Sequence, residues 1–96
     1  MSGAGKDRVN DTDKAIVDVK ARQRKIKTYM KKMETQEQQA TDKIKELLKA
    51  GQKQRAMIHL KQKKFITKEV EKAQGAMMML QQTLAGIESA QADLEI

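Results

Sequence analysis

The sequence predicts an all-α chain folded as a long antiparallel two-helix hairpin of coiled-coil type. Three observations predict it. The 96 residues contain no proline. Apolar positions recur by threes and fours on both sides of Gly51, the spacing of a helix that packs against another helix. The register of that spacing breaks at the same glycine, as a turn requires.

Taken in order, "NDTDKAIVDV" reads as a helix start. Thr12 or Asn10 can cap the first free amides, and Asp11 and Asp13 suit the positive end of the dipole. Residues 1–11 are then a flexible leader, with a first helix at about 13–50, a turn near 51 and a second helix at about 52–95. On the first arm Ile16, Val19, Gln23, Ile26, Met30, Met33, Glu37, Ala40, Ile44 and Leu47 form the seam. On the second it runs through Ala56, His59, Lys63, Ile66, Val70, Ala73, Met77, Leu80, Leu84, Ile87, Gln91 and Leu94. Folding at Gly51 sets Leu47 against Ala56, Ile26 against Met77, Val19 against Leu84 and Ile16 against Ile87. Glu37 then lies one layer from Lys63, a charge pair to cover the polar gap. Glycine suits the position after a helix end, because it takes a left-handed backbone at little cost.

Tyr29 and Phe65 are the only aromatic residues. A two-helix hairpin buries one stripe, so the expected hairpin is the core of a larger helical protein or a subunit supported by neighbours. Val17, Tyr29, Phe65, Met78 and Met79 lie off the seam and fit either reading, as extra core for a further helix or as a partner surface. Gly75 and Gly86 each cost about 1 kcal/mol against alanine within a helix, and permit bending or close approach or have no role.

The net charge of +7 is unevenly placed. Residues 1–72 carry all 20 Lys/Arg and 10 of the 13 acids, and residues 73–96 carry three acids and no base. Two windows hold cations and no acid, 20–32 and 53–68. Such density attracts polyanions. In the first window Arg24, Lys25, Lys31 and Lys32 lie opposite the seam, with Lys20 and Lys27 toward its flank, a placement that suits a flat anionic surface. Catalysis has little to work with: one histidine, no cysteine and two serines. His59 falls in the seam and reads as an interface residue. Metal-ligand spacing is absent, and no cofactor is expected. With no cysteine there is no disulfide framework. Three readings of the basic surface stand: a membrane scaffold, a basic coiled-coil nucleic-acid-binding protein, and a scaffold without a polyanion partner. A basic-region zipper runs its cations straight into an unbroken seam, whereas here cations overlap the seam helix and the register breaks.

"DKAIVDVKARQRKIKTY" at 13–29, "GQKQRAMIHLKQKKF" at 51–65 and "GIESAQADLE" at 86–95 together resemble the basic helical hairpin of the ESCRT-III subunits, the charged multivesicular body proteins. The likeness covers about residues 9–96. It is nearest to the class that links ESCRT-II to the polymer, with the main filament subunit second. It implies a subunit that is not an enzyme, cytoplasmic and peripheral on endosomal membrane. Such a subunit binds anionic membrane, polymerises with related ESCRT-III subunits and remodels membrane in multivesicular body sorting. It implies ESCRT-II docking around Ile16, Val17 and Ala21. The linking class begins Met-Gly and is N-myristoylated. Position 2 here is Ser2, so the expectation is a chain without that anchor. The family's later helices and ATPase-binding tail have no counterpart in the 96 residues, so an open, weakly membrane-bound form is expected.

Overall fold

In the computed structural model the stretch "LKAGQ" ends one helix and prepares the next. The Gly51 amide donates to the Leu48 carbonyl at 3.1 Å and the Gln52 amide to the Leu47 carbonyl at 2.9 Å. These are the two bonds of a Schellman cap, with Gly51 as the left-handed residue at φ 75°. The Gln52 carbonyl then accepts from the Ala56 amide at 3.1 Å, and its side-chain oxygen accepts from Arg55 Nη1 at 2.7 Å. Gln52 therefore opens the second helix immediately after the glycine closes the first.

The structure describes Gly3–Glu95, with side chains from residue 11 to residue 93. Helix α1 spans Gly3–Lys49 and helix α2 spans Lys53–Glu95. The turn falls where the broken register put it, and the fold is the two-helix hairpin. The start of α1 differs from the sequence reading, which placed it near Asp13. Nothing between Gly3 and Thr12 forbids the helix, since Gly3 and Gly5 weaken propensity without removing a backbone donor. Thr12 is thus inside α1 and does not cap its end. The side chains of Asn10 and Leu94 lie outside the described residues, as do Met1, Ser2 and Ile96 entirely.

The chain divides into a tip unit, Lys27–Gly75, and a unit formed by Met1–Ile26 with Ala76–Ile96. Five of the buried core residues belong to the tip unit: Leu47 and Ala56 beside the turn, then Ala40, Val70 and Ala73. In the other unit Val19 is buried, and Ile16, Ile26, Met77, Leu80, Leu84 and Ile87 are half-buried. Every described seam position, including Gln23, His59, Lys63 and Gln91, is buried or half-buried. Three of these six buried residues are alanine, and among the described residues no side chain is fully buried.

Two polar details complete the seam. Glu37 Oε2 accepts a hydrogen bond from Thr67 Oγ1 at 3.1 Å. The bond Glu37 makes across the helices is therefore to a hydroxyl on α2, in place of the expected pairing with Lys63. Thr67 follows the opposed Ile66 directly in the sequence. On the helix surfaces the Thr35, Thr41 and Thr83 hydroxyls donate to carbonyls four residues back, each at 2.9 Å, so these polar side chains are satisfied without leaving the helix.

The three described mid-chain glycines separate into two kinds. Gly51 has open space where a Cβ would stand, but its positive φ strains any L side chain. Gly75 and Gly86 are helical with nothing within 4 Å of an added Cβ, so neither serves a close approach. Gly51→Ala should cost about 1–2 kcal/mol, whereas Gly75→Ala and Gly86→Ala should each gain up to about 1 kcal/mol. Urea melts followed by circular dichroism will read the opposite signs.

Candidate interaction surfaces

The hairpin sorts charge by position. The tip unit holds 13 Lys/Arg against 6 Asp/Glu, so the chain's whole excess of +7 resides between Lys27 and Gly75. The other unit holds seven of each sign. Within the first acid-free window, Lys20, Arg24 and Lys25 belong to that neutral unit and Lys27, Lys31 and Lys32 to the tip unit. All six are exposed, because the 3-4 spacing that turns Val19, Ile26, Met30 and Met33 inward turns these positions outward. Two cations elsewhere are engaged locally: Lys43 with Glu46 at 3.8 Å and Lys72 with Glu69 at 3.5 Å.

The off-seam apolar residues are exposed as well. Val17 is 60% exposed, Met78 60%, Met79 69% and Phe65 65%. Around Val17 the neighbours differ: Ile16 and Ala21 are half-buried toward the seam, so Val17 is the apolar side chain available there. Met79 lines an open groove of ≈ 470 Å³ with Arg22, Lys25, Ile26, Ala76 and Leu80. Met78, beside it in sequence, is also exposed.

In the tip unit Tyr29 and Phe65 border a second groove, ≈ 550 Å³, with Met33, Gln36, Lys61, Gln62 and Ile66. The Tyr29 hydroxyl crosses to α2 and donates to Glu69 Oε2 at 3.2 Å. Local desolvation, then the hydrogen bond and negative charge of Glu69, push the Tyr29 phenol above its ordinary value of 10.0. The neutral phenol is thus the favoured form in the hairpin, so the contribution of this contact is fully present below the ordinary value and is lost as pH rises through the raised value of the folded chain. His59 lies beside Ala40, Lys43, Gln62 and Ile66 in a third groove, consistent with a residue at the helix interface. Among the described residues, no cluster of three or more His, Cys, Asp or Glu is placed to hold a metal ion, and no helix is long and apolar enough to cross a membrane.

Sequence reasoning missed four exposed apolar side chains: Leu48, Met57, Ile58 and Leu60, exposed by 42–59%. Their signal was present. Each is one or two residues from a seam position and so turns away from it.

A comparison with protein families matches the Snf7 family over residues 14–96. The chain belongs to the Snf7 family. The family match covers both arms and the turn, and the chain is separately similar to proteins named as charged multivesicular body proteins. Charged multivesicular body protein 6-A of Xenopus laevis is 33% identical over 89 residues. Charged multivesicular body protein 6 of Danio rerio is 30% identical and that of Homo sapiens 27%, each over 89 residues. Each alignment covers 93% of this chain and 43–44% of the relative, so the chain spans less than half the length of these relatives. No solved structure matches it.

Proposed function

We propose that this hairpin is a scaffold subunit of ESCRT-III with no enzymatic role. It binds anionic membrane through Lys20, Arg24, Lys25, Lys27, Lys31 and Lys32 and assembles with related subunits for membrane remodelling in multivesicular body sorting. The observation that carries this reading is the exposure of all six cations along an acid-free stretch of α1, in a chain of the Snf7 family. Near an acidic leaflet each such cation contributes about 1 kcal/mol, fading within a Debye length. The site of action is the cytoplasmic face of the endosomal membrane, held peripherally.

The test is liposome flotation with and without phosphatidylserine across a salt series. Binding that needs the anionic lipid and weakens with salt supports the reading. Indifference to both removes it. A gel shift of duplex DNA at physiological salt with strong sequence preference would transfer the cations to a nucleic-acid role, the alternative that the +7 charge allows.

Within ESCRT-III we assign the chain to the class that links ESCRT-II to the polymer. The relatives described above share one subunit name, which favours one class. ESCRT-II docking is assigned to Val17, flanked by Ile16 and Ala21, and Met78 and Met79 offer a second partner contact. Val17→Asp should lower ESCRT-II affinity at least about tenfold in calorimetry, since an exposed apolar anchor would become a desolvated charge. Helicity should be unchanged, because Val17 is 60% exposed. Ile16→Asp is a poorer probe, since Ile16 also serves the seam. Equal affinity of the Val17 variant and wild type would move the docking face elsewhere.

A further inference from the structure

The second acid-free window, 53–68, lies wholly in the tip unit and begins α2. Its inward residues are Ala56, His59, Lys63 and Ile66, all buried or half-buried. Its outward residues alternate two chemistries. Met57 and Ile58 are each 59% exposed and Phe65 65%, while Lys61, Lys64 and Lys68 are exposed between and beyond them. The spacing 57/58, 61, 64/65, 68 places all six on one helix face, with Met57 and Phe65 about 12 Å apart along the axis. A solvated coiled-coil exterior has no use for three large apolar side chains in such a row.

We infer that this face of α2 enters an anionic bilayer interface, with Met57, Ile58 and Phe65 below the headgroups and Lys61, Lys64 and Lys68 at phosphate level. The inference rests on the membrane reading above and adds to it a second contact of a different kind. Three observations choose a lipid surface. The face carries cations and no acid, so it complements anionic headgroups. Lysine stems can lie along acyl chains while their ammonium groups stay in the polar layer. Met57 and Ile58 are each 59% exposed and line none of the three grooves described above, and a fluid interface accommodates exposed apolar side chains without a matching pocket. Phe65 does edge the Tyr29 groove, so Met57 and Ile58 carry the distinction from a protein partner. At the C-terminal end of α1 the exposed residues include Asp42 and Glu46, and Lys43 already pairs with Glu46, so that stretch lacks the acid-free character of 53–68.

The chain has no tryptophan, so Ile58→Trp and Phe65→Trp each create a single fluorescent reporter. The experiment mixes each variant with phosphatidylcholine–phosphatidylserine vesicles carrying bromine at shallow acyl positions, with flotation measured in parallel. Blue-shifted emission and bromine quenching in the floated fraction are expected. Flotation with water-like, unquenched emission would overturn the inference and leave the headgroup-binding reading intact. Failure of the wild-type chain to float would remove both. In a second arm, Met57→Ser, Ile58→Ser and Phe65→Ser are combined, which preserves every charge. Partition onto the same vesicles should fall at least about tenfold, since binding scales with the apolar area buried. Circular dichroism should show the helices retained. Unchanged partition would overturn the inference and reassign these side chains to a protein partner.

Discussion

Replacing Lys20, Arg24 and Lys25 with glutamine should lower partition onto phosphatidylserine vesicles by about a hundredfold at low salt, at about 1 kcal/mol per cation. Replacing Lys27, Lys31 and Lys32 should do the same, and the two sets together should approach ten-thousandfold, at about 1 kcal/mol per cation. All six side chains are exposed along one helix, so their removal leaves the core residues untouched and the thermal melt should not shift downward. The ionic-strength series is the discriminating axis, because screened headgroup attraction must shrink as the Debye length shortens. Neutralising Lys43 and Lys72 gives the internal control. These have carboxylates at 3.8 and 3.5 Å, so losing them should cost far less than losing either triplet. A loss in proportion to the charge removed, about two-thirds of a triplet's free energy, would mean that net charge alone governs binding and that the face of α1 has no special part.

Placing a carboxylate at the closest packed layer should have the largest effect on folding. Ala56 is 3% exposed and its partner layer contains Leu47 at 5%. Ala56→Asp buries a charge among aliphatic groups beside the turn, at a cost of about 3 kcal/mol or more. A thin two-helix core has little stability to lose, and cooperative helix signal should vanish at 25 °C. Met57→Ser, one residue along the same helix, falls on a side chain 59% exposed and should stay within about 0.5 kcal/mol of wild type in a urea melt. If the two variants melt alike, the inward and outward assignments at the start of α2 are wrong.

The contrast between those neighbouring residues indicates which features the sequence could disclose. A period of three and four states which side of a helix is dry, so all described seam positions were found where the pattern put them. A break in the pattern at a glycine marks the turn, and the Schellman cap is its atomic form. The helix start was less legible, because an end is marked by caps and breakers. The first residues contain Asn10, Asp11, Thr12 and Asp13, good capping groups, but no residue that forbids a helix upstream. The Glu37 contact was missed because helix spacing gives the layer and the side-chain reach decides the partner. Charge runs were plain, yet the distribution between units was not. It emerges only when the fold brings 27–49 and 53–75 together in one unit and leaves the balanced stretches to the other. Likewise Met57 and Ile58 were passed over because the sequence was read for what the hairpin conceals.

The alanine-rich layers beside the turn have a kinetic consequence. Leu47 and Ala56 are only nine residues apart, whereas Ile16 and Ile87 are separated by most of the chain. Loop-closure entropy rises with that separation, so the first pairing after the Gly51 corner forms is the least costly, and each later layer adds to one already fixed. The molecule should therefore close like a zipper from the bend and fray in the reverse order, with amide exchange slowest around Leu47 and Ala56 and progressively faster toward both chain ends.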